Sequence, residues 1–156
     1  MSKTCDHTSV GMLVWRDEKL LLIERARFPF GFAIPAGHVD GDPTYEDSAK
    51  RELQEEVGLE SEALELVAEG RKENVCRRED GTWHYWKIYR VASTGDLIRS
   101  EDETKQAGWY TRDQIKALAR RTEKYNDKEI PEEEWEKDPG LEPVIYEWLK
   151  ELEILD

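Results

Sequence analysis

The sequence predicts a mixed α/β fold of the α+β kind: a mixed β-sheet clasped between helices, with an added helix at the C-terminus. Three observations point there. Val10, Met12 and Val14 alternate at period two, the mark of a strand with one buried face. Ala49, Leu53 and Val57 recur at four-residue spacing, the stripe of an amphipathic helix. Strand-like runs lie on both sides of that helix, so sheet and helices must stack in layers. A chain of 156 residues without internal repeats fits one domain, spanning 1–156.

Thr8 to Trp15 is the first predicted strand. Arg16-Asp17-Glu18 is a polar turn, and Lys19 to Arg25 carries Leu20-Leu21-Leu22-Ile23. That run is too short for a helix and reads as a buried strand, so the pair forms a β-hairpin. Arg27 to Gly31 is a loop, and Phe32 to Pro35 is extended. The strongest helix covers Thr44 to Val57. Asp42 or Thr44 caps it, Pro43 fits the first helical position, and Gly58 suits a left-handed C-terminal cap.

Leu64 to Arg71 reads as a strand. Asp80-Gly81 is a hairpin turn joining Glu73–Glu79 to Thr82–Val91. In the second arm Trp83 and Tyr85 share one face and Trp86 takes the other. A short strand ends at Trp109-Tyr110, and Thr111 opens a helix with Gln114 completing a capping box. Residues 122–140 form a charged connector. Pro143 to Leu155 is a terminal helix whose Val144, Ile145, Trp148, Leu149 and Leu152 share a face. That face covers the core or a homodimer interface.

Composition excludes several classes. Charged residues equal hydrophobic ones at 38% each, yet six Trp, six Tyr and three Phe argue against disorder. No run approaches the ~20 apolar residues of a membrane span. The start, MSKTCDHTS, lacks the apolar core of a signal peptide. Cys5 and Cys76 fit a reducing compartment and show no metal-ligand spacing. These features point to the cytoplasm. A net charge of -13 speaks against a nucleic acid polymer as partner, and the lack of a long apolar run speaks against a membrane. An anionic small molecule would need a cation between it and the protein, and a divalent metal serves.

Chemistry concentrates between Gly37 and Leu59. Glu52, Glu55 and Glu56 stand at i, i+3 and i+4 and project from one side of the helix. Three carboxylates there repel one another, and a hard divalent cation with oxygen ligands would compensate. Arg51, four residues before Glu55, can pair with it. The competing interpretation is a solvated acidic face.

This stretch resembles the Nudix box, G-x5-E-x7-R-E-U-x-E-E-x-G-U, where U is a bulky aliphatic. Gly37 matches the first glycine, and Arg51-Glu52-Leu53-Gln54-Glu55-Glu56-Val57-Gly58-Leu59 matches the second half at the correct distance. Ile34-Pro35-Ala36 resembles the family's lead-in. One departure stands out: the first glutamate of the box falls on Pro43, with Asp42 the nearest acid. In the family that glutamate supports the site more than it holds the catalytic metal.

The resemblance implies an α/β/α sandwich and a hydrolase that cleaves the pyrophosphate linkage of a nucleoside diphosphate derivative. It implies Mg²⁺ or Mn²⁺ held by Glu52, Glu55 and Glu56, with the carbonyl of Ala36 as a further ligand. Arg51 would orient the carboxylates, and one glutamate could double as base. Family members often add an acid from a loop before the last core strand. Glu101-Asp102-Glu103 precedes Trp109 here, and Glu103 is the choice, as ligand or general base. Arg25, Arg27 and Arg71 are candidates for the phosphates, and Phe32, with Phe28 and Phe30, for stacking on a base or for packing. Lys72, Arg77 and Arg78, near the later hairpin with Arg71, are further cations that could meet phosphates, or else line a solvated hairpin edge. His38, His7 and His84 receive no chemistry, and Cys76 reads as a strand residue.

Between Glu60 and Thr82 there is neither Pro nor Tyr, so the markers often associated with ADP-ribose and diadenosine polyphosphate members are missing. A nucleoside triphosphate pyrophosphohydrolase is the enzymatic alternative. A nucleotide-sensing binding module is the alternative of another class, and the intact 51–58 stretch argues against it.

Overall fold

The two sheets of the molecule each carry apolar side chains on both faces, which explains why the strands are so hydrophobic. The structure is a computed structural model describing residues 3–155. In the first sheet β1 (Thr8–Leu13) runs parallel to β7 (His84–Thr94), with Gly11 opposite Ile88. Two antiparallel neighbours complete it: β5 (Ala36–Gly37) on β1, and β6 (Glu60–Lys72) on β7. The second sheet centres on β3 (Lys19–Arg25). Antiparallel to it lie β2 (Trp15–Arg16), β4 (Phe32–Ala33) and β8 (Thr104–Tyr110).

Alternation along the strands sends side chains to two cores. Val10, Met12, Leu21 and Ile23 meet Ala49, Leu53 and Val57 of α1 (Tyr45–Val57). Leu13, Leu20, Leu22 and Ile88 meet α2 (Arg112–Asn126) and α4 (Pro143–Glu151), through Ile115, Ile145, Trp148 and Leu149. A mixed sheet thus lies between helices, the sandwich that the sequence predicts. No helix among the described residues is long and apolar enough to cross a membrane. The span 1–156 includes Met1, Ser2 and Asp156, which lie outside the described residues, as do the first two residues of the MSKTCDHTS start.

Four expectations need correction. The predicted hairpin of Thr8–Trp15 with Lys19–Arg25 forms only at its tip. Asp17 and Glu18, at φ 50° and 64°, make a tight turn between β2 and β3. At Val14 the chain passes from one sheet to the other, because both edges of β1 are taken, by β5 and by β7. Second, Glu73–Glu79 is not a strand. Pairing of β6 with β7 stops at Lys72 and His84, and 73–83 is a loop. The Asp80-Gly81 turn sits inside that loop, where Cys76 N–H donates to Gly81 O at 2.8 Å.

Third, the connector contains the end of α2 and a short helix α3 (Glu132–Lys137). Its Trp135 is buried and stacks on Tyr125 at 3.9 Å between ring centroids. Fourth, Pro43 is not the first helical residue: Thr44 is the N-cap, accepting from Asp47 N–H at 3.1 Å. The C-terminal end of α1 follows expectation, with Gly58 at φ 69° and its N–H donating to Gln54 O.

Leu53 is wholly buried between α1 and the sheets. Leu53→Ala is expected to cost ~2–5 kcal/mol, read as a lower urea midpoint at unchanged slope.

Candidate active site

Where the C-terminal end of β3, strand β5 and helix α1 meet, the surface opens into a cleft of about 180 Å³. Helical geometry decides which box carboxylates face it. At about 100° per residue, Glu56 lies roughly 40° from Glu52, whereas Glu55 lies roughly 60° to the other side. Accordingly Glu52 and Glu56 line the cleft, and Glu55 turns outward with a side chain 52% exposed.

Glu56 is buried, and Ala36 N–H donates to its Oε1 at 3.0 Å. Burial, with Glu52 and Glu103 nearby, pushes this carboxyl well above the usual range, while Arg25 pulls it down. Glu52 is held at about 7, first by burial and further by Glu55 and Glu103, against the pull of Arg51. Glu52 reaches this place because residue 37 is glycine. A Cβ there would stand 2.2 Å from Glu52 Cδ.

Arg51 fixes the acidic turn. Its Nη1 donates to Glu52 Oε1 at 2.9 Å and to Glu55 Oε2 at 3.2 Å, and its Nη2 donates to His38 O at 3.1 Å. Its Nε donates to Asp42 Oδ2 at 2.9 Å, which also accepts from the buried Ser48 hydroxyl at 2.8 Å. Asp42 therefore brings to Arg51 the carboxylate that Pro43 lacks.

The opposite wall comes from β3 and the turn before β8. Arg25, Arg27 and Glu103 line the cleft. Ala26 N–H donates to Glu103 O at 3.0 Å, pinning that turn to the end of β3. Beside the cleft is an apolar cavity of about 210 Å³ lined by Phe28, Phe30, Tyr125 and Trp135. The two share Pro29, Asn74, Val75 and Glu142.

Comparison with known proteins shows the family to which the chain belongs. The model of the NUDIX domain matches residues 6–132. The chain belongs to the NUDIX family. An ADP-ribose pyrophosphatase of Methanocaldococcus jannaschii is 29% identical over 71% of this chain and 65% of its own length. An NAD-capped RNA hydrolase, NudC, of Pseudomonas aeruginosa is 27% identical over 70% of this chain. This chain spans just under two thirds of the first relative, and 38% of the second. Among solved structures, a MutT NUDIX hydrolase from Burkholderia pseudomallei superposes with a TM-score of 0.60 at 26% identity, covering 69% of this chain and 84% of that one.

The NUDIX box of this chain thus folds with Ala36, Glu52 and Glu56 on one wall of the cleft and Arg25, Arg27 and Glu103 on the other. Three candidates lie elsewhere. Glu55, predicted as a metal ligand, points outward, and two of the predicted substrate contacts lie outside the cleft. Phe32 is a core residue, edge-on to Tyr110 at 5.7 Å, because β4 turns it inward. Arg71 sits over Trp83 at 4.1 Å and pairs with Glu73 at 2.7 Å, outside the cleft. Sequence reasoning missed Glu142, the buried acid just before α4, whose carboxyl burial raises. It also missed the cleft wall made by the 73–83 loop with His38 and His84. Only the clustering of Cys76, Arg77 and Arg78 signalled that loop.

Buried Glu56, half-buried Glu52 and exposed Glu103 across the cleft form an all-oxygen donor set. Such a set fits a hard divalent cation. Without metal, the folded protein holds the Glu52 proton to about 7, against 4.5 for an ordinary glutamate. That stabilisation is complete below pH ~4.5 and is lost as pH rises through ~7, roughly 3 kcal/mol in all. Metal-free protein is therefore expected to melt lower at pH 8 than at pH 5. Glu52→Gln is expected to flatten that slope, and millimolar Mg²⁺ to restore the wild-type melting temperature at pH 8.

Proposed function

We propose that this protein hydrolyses the phosphoanhydride linkage of a nucleoside diphosphate derivative. One observation carries the proposal: a single cleft sets the box carboxylates against arginines and continues into an aromatic-lined cavity. Phosphates suit the first part and a base the second.

Glu52, Glu56 and Glu103, with the Ala36 carbonyl, would hold Mg²⁺ or Mn²⁺. Such an ion supplies charge neutralisation for the diphosphate and a lowered pKa for a bound water. Arg25 and Arg27 bind phosphate oxygens from the β3 side. Arg51 keeps Glu52 and Glu55 in place through its bonds to both. Glu103, which is exposed at the cleft mouth, accepts the proton of the attacking water. The hydroxyl joins the attacked phosphorus, and the bridging oxygen leaves on the other phosphate. A nucleoside monophosphate and a phosphorylated second group result.

The relatives named for ADP-ribose and for NAD-capped RNA support a diphosphate flanked by two different groups. The aromatic cavity supports a purine. Phe28, 46% exposed at its rim, is the stacking candidate in place of Phe32. The acidity of the whole chain favours a small molecule over a polymer. No transmembrane helix is present among the described residues, and we assign the protein to the cytoplasm.

The test is a panel of nucleoside diphosphate derivatives and nucleoside triphosphates with Mg²⁺ and Mn²⁺, read by product identity. ADP-ribose-like compounds should give a monophosphate and a sugar phosphate. Release of pyrophosphate from triphosphates alone would overturn the substrate class. Glu56→Gln should lower kcat by about 100-fold or more with the fold intact. Glu103→Gln should lower it by ~10²–10⁴, whereas Glu101→Gln and Asp102→Asn should not.

Phe28→Ala should raise KM about tenfold with little change in kcat, the loss of one base-stacking contact. An unchanged KM would place the base elsewhere.

A further inference from the structure

Four side chains outside the carboxylate set converge beside it. Cys5 precedes β1, His38 follows β5, Cys76 lies in the 73–83 loop, and His84 opens β7. One ligating atom from each lies within 4.8 Å of every other. Cys5 Sγ is 3.6 Å from His38 Nε2 and 3.4 Å from His84 Nε2. A tetrahedral zinc ion with sulfur at about 2.3 Å and nitrogen at about 2.05 Å has a sulfur–nitrogen edge of about 3.6 Å. The two Cys5–imidazole separations thus match the edges of such a site, and the other pairs lie within 4.8 Å.

The surroundings are those of metal ligands. His84 Nδ1 is 3.1 Å from Asn74 O. When that nitrogen donates, Nε2 presents its lone pair to the cluster. Each cysteine sulfur accepts a backbone N–H from two residues further on: His7 to Cys5 at 3.3 Å, and Arg78 to Cys76 at 3.4 Å. Such bonds stabilise a thiolate. Gly81 is forced by the same sulfur, since a Cβ there would stand 2.2 Å from Cys76 Sγ. Cys5 N–H donates to Glu79 O, and Glu79 N–H to Lys3 O, bringing the two cysteine segments together. Cys5 and His84 are buried, at 5% and 2% exposure.

We propose that Cys5, His38, Cys76 and His84 form a closed structural zinc site, distinct from the carboxylate cation site. Two thiolates and two imidazoles in a tetrahedron select zinc over magnesium or manganese. The ion fastens the segment before β1 and the 73–83 loop to the cleft wall. Its binding energy is then folding energy for that wall.

The test is direct on the intact protein. Purified chain washed with a weak chelator should retain about one zinc per molecule. Replacing zinc with Co²⁺ should give the intense visible bands of tetrahedral cobalt and a near-ultraviolet thiolate-to-cobalt band. Cys76→Ser and His84→Asn should each lose the metal or change those bands, whereas Glu56→Gln should keep both. Strong chelation should lower the melting temperature of wild type and of Glu56→Gln alike. Metal-free reduced protein that takes up Zn²⁺ and shows the thiolate band with Co²⁺ also supports the site. Weak octahedral cobalt bands only, or both thiols freely alkylated in excess Zn²⁺, would overturn it, even if hydrolysis proceeds as proposed. Failure of the substrate panel with the cobalt spectrum present would overturn the catalytic proposal alone.

Discussion

The costly feature of this fold is the burial of acid on α1. Glu56 and most of Glu52 leave water while keeping few hydrogen bonds. Burying a carboxylate is unfavourable unless it is protonated or meets a cation. Much of the local sequence answers that one constraint. Gly37 removes a side chain so that Glu52 can press against β5. Arg51 spreads one guanidinium over Asp42, Glu52, Glu55 and the His38 carbonyl. Leu53 and Val57, on the other side of the helix, bury enough apolar surface to hold it in place. The Arg51 cage explains why Pro43 is tolerated where the box has glutamate: a carboxylate one residue earlier reaches the same guanidinium.

Helix α1 could not present this face unless its back were held by a sheet that is itself covered. The mixed sheet provides that, because α2 and α4 seal its far side. The antiparallel sheet contributes its β3 end. There Arg25 stands near enough to Glu56 and Glu142 to lower both their carboxyls. The cleft is therefore a seam between the two sheets, where strands end and backbone geometry relaxes. Residues from eight separate parts of the chain meet there, although the chain as a whole carries a charge of -13. The arginines are few, but they are placed where an anion would arrive.

What the sequence made legible was local. The shared helix side of Arg51, Glu52, Glu55 and Glu56 follows from 3.6 residues per turn, and Gly58 marks the helix end; at the start Asp42 and Thr44 both suit the cap, and Thr44 takes it. Most strands were readable from apolar pattern, 73–79 excepted, but strand partners were not. Thr8–Leu13 looks equally suited to pairing with Lys19–Arg25 or with His84–Thr94, and the pairing of both its edges decides between them only in three dimensions. Phe32 and Phe28 are indistinguishable in the sequence. One turns into the core at β4, and the other stays in the loop at the rim of the apolar cavity. Trp135 was hidden because its neighbours Glu132–Glu134, Glu136 and Lys137 are charged, and a single buried face on a short helix leaves almost no periodic signal. Cysteine spacing failed for a related reason: each thiol and imidazole of the cluster comes from a different segment.

The two clusters are coupled through a handful of covalent steps. Gly37 and His38 are adjacent, and one makes room for Glu52 while the other faces Cys5. Beyond Cys76 in the loop, Arg78 donates from Nη2 to Asp40 at 2.8 Å, so the loop grips the box segment a second time. Two residues after Asp40 comes Asp42, the partner of Arg51. The thiol–imidazole cluster and the Asp40–Arg78 pair thus brace the segment between β5 and α1 from outside, while Arg51 braces it from inside. Both donor sets border the same cleft: Glu52 and Glu56 on one wall, and His38, Cys76 and His84 on the wall made with the 73–83 loop, with Cys5 buried beside them. A metal on the thiol–imidazole set would brace that wall without occupying the carboxylates that meet the substrate, and the grip of Arg78 on Asp40 removes the 73–83 loop from the class of free surface loops.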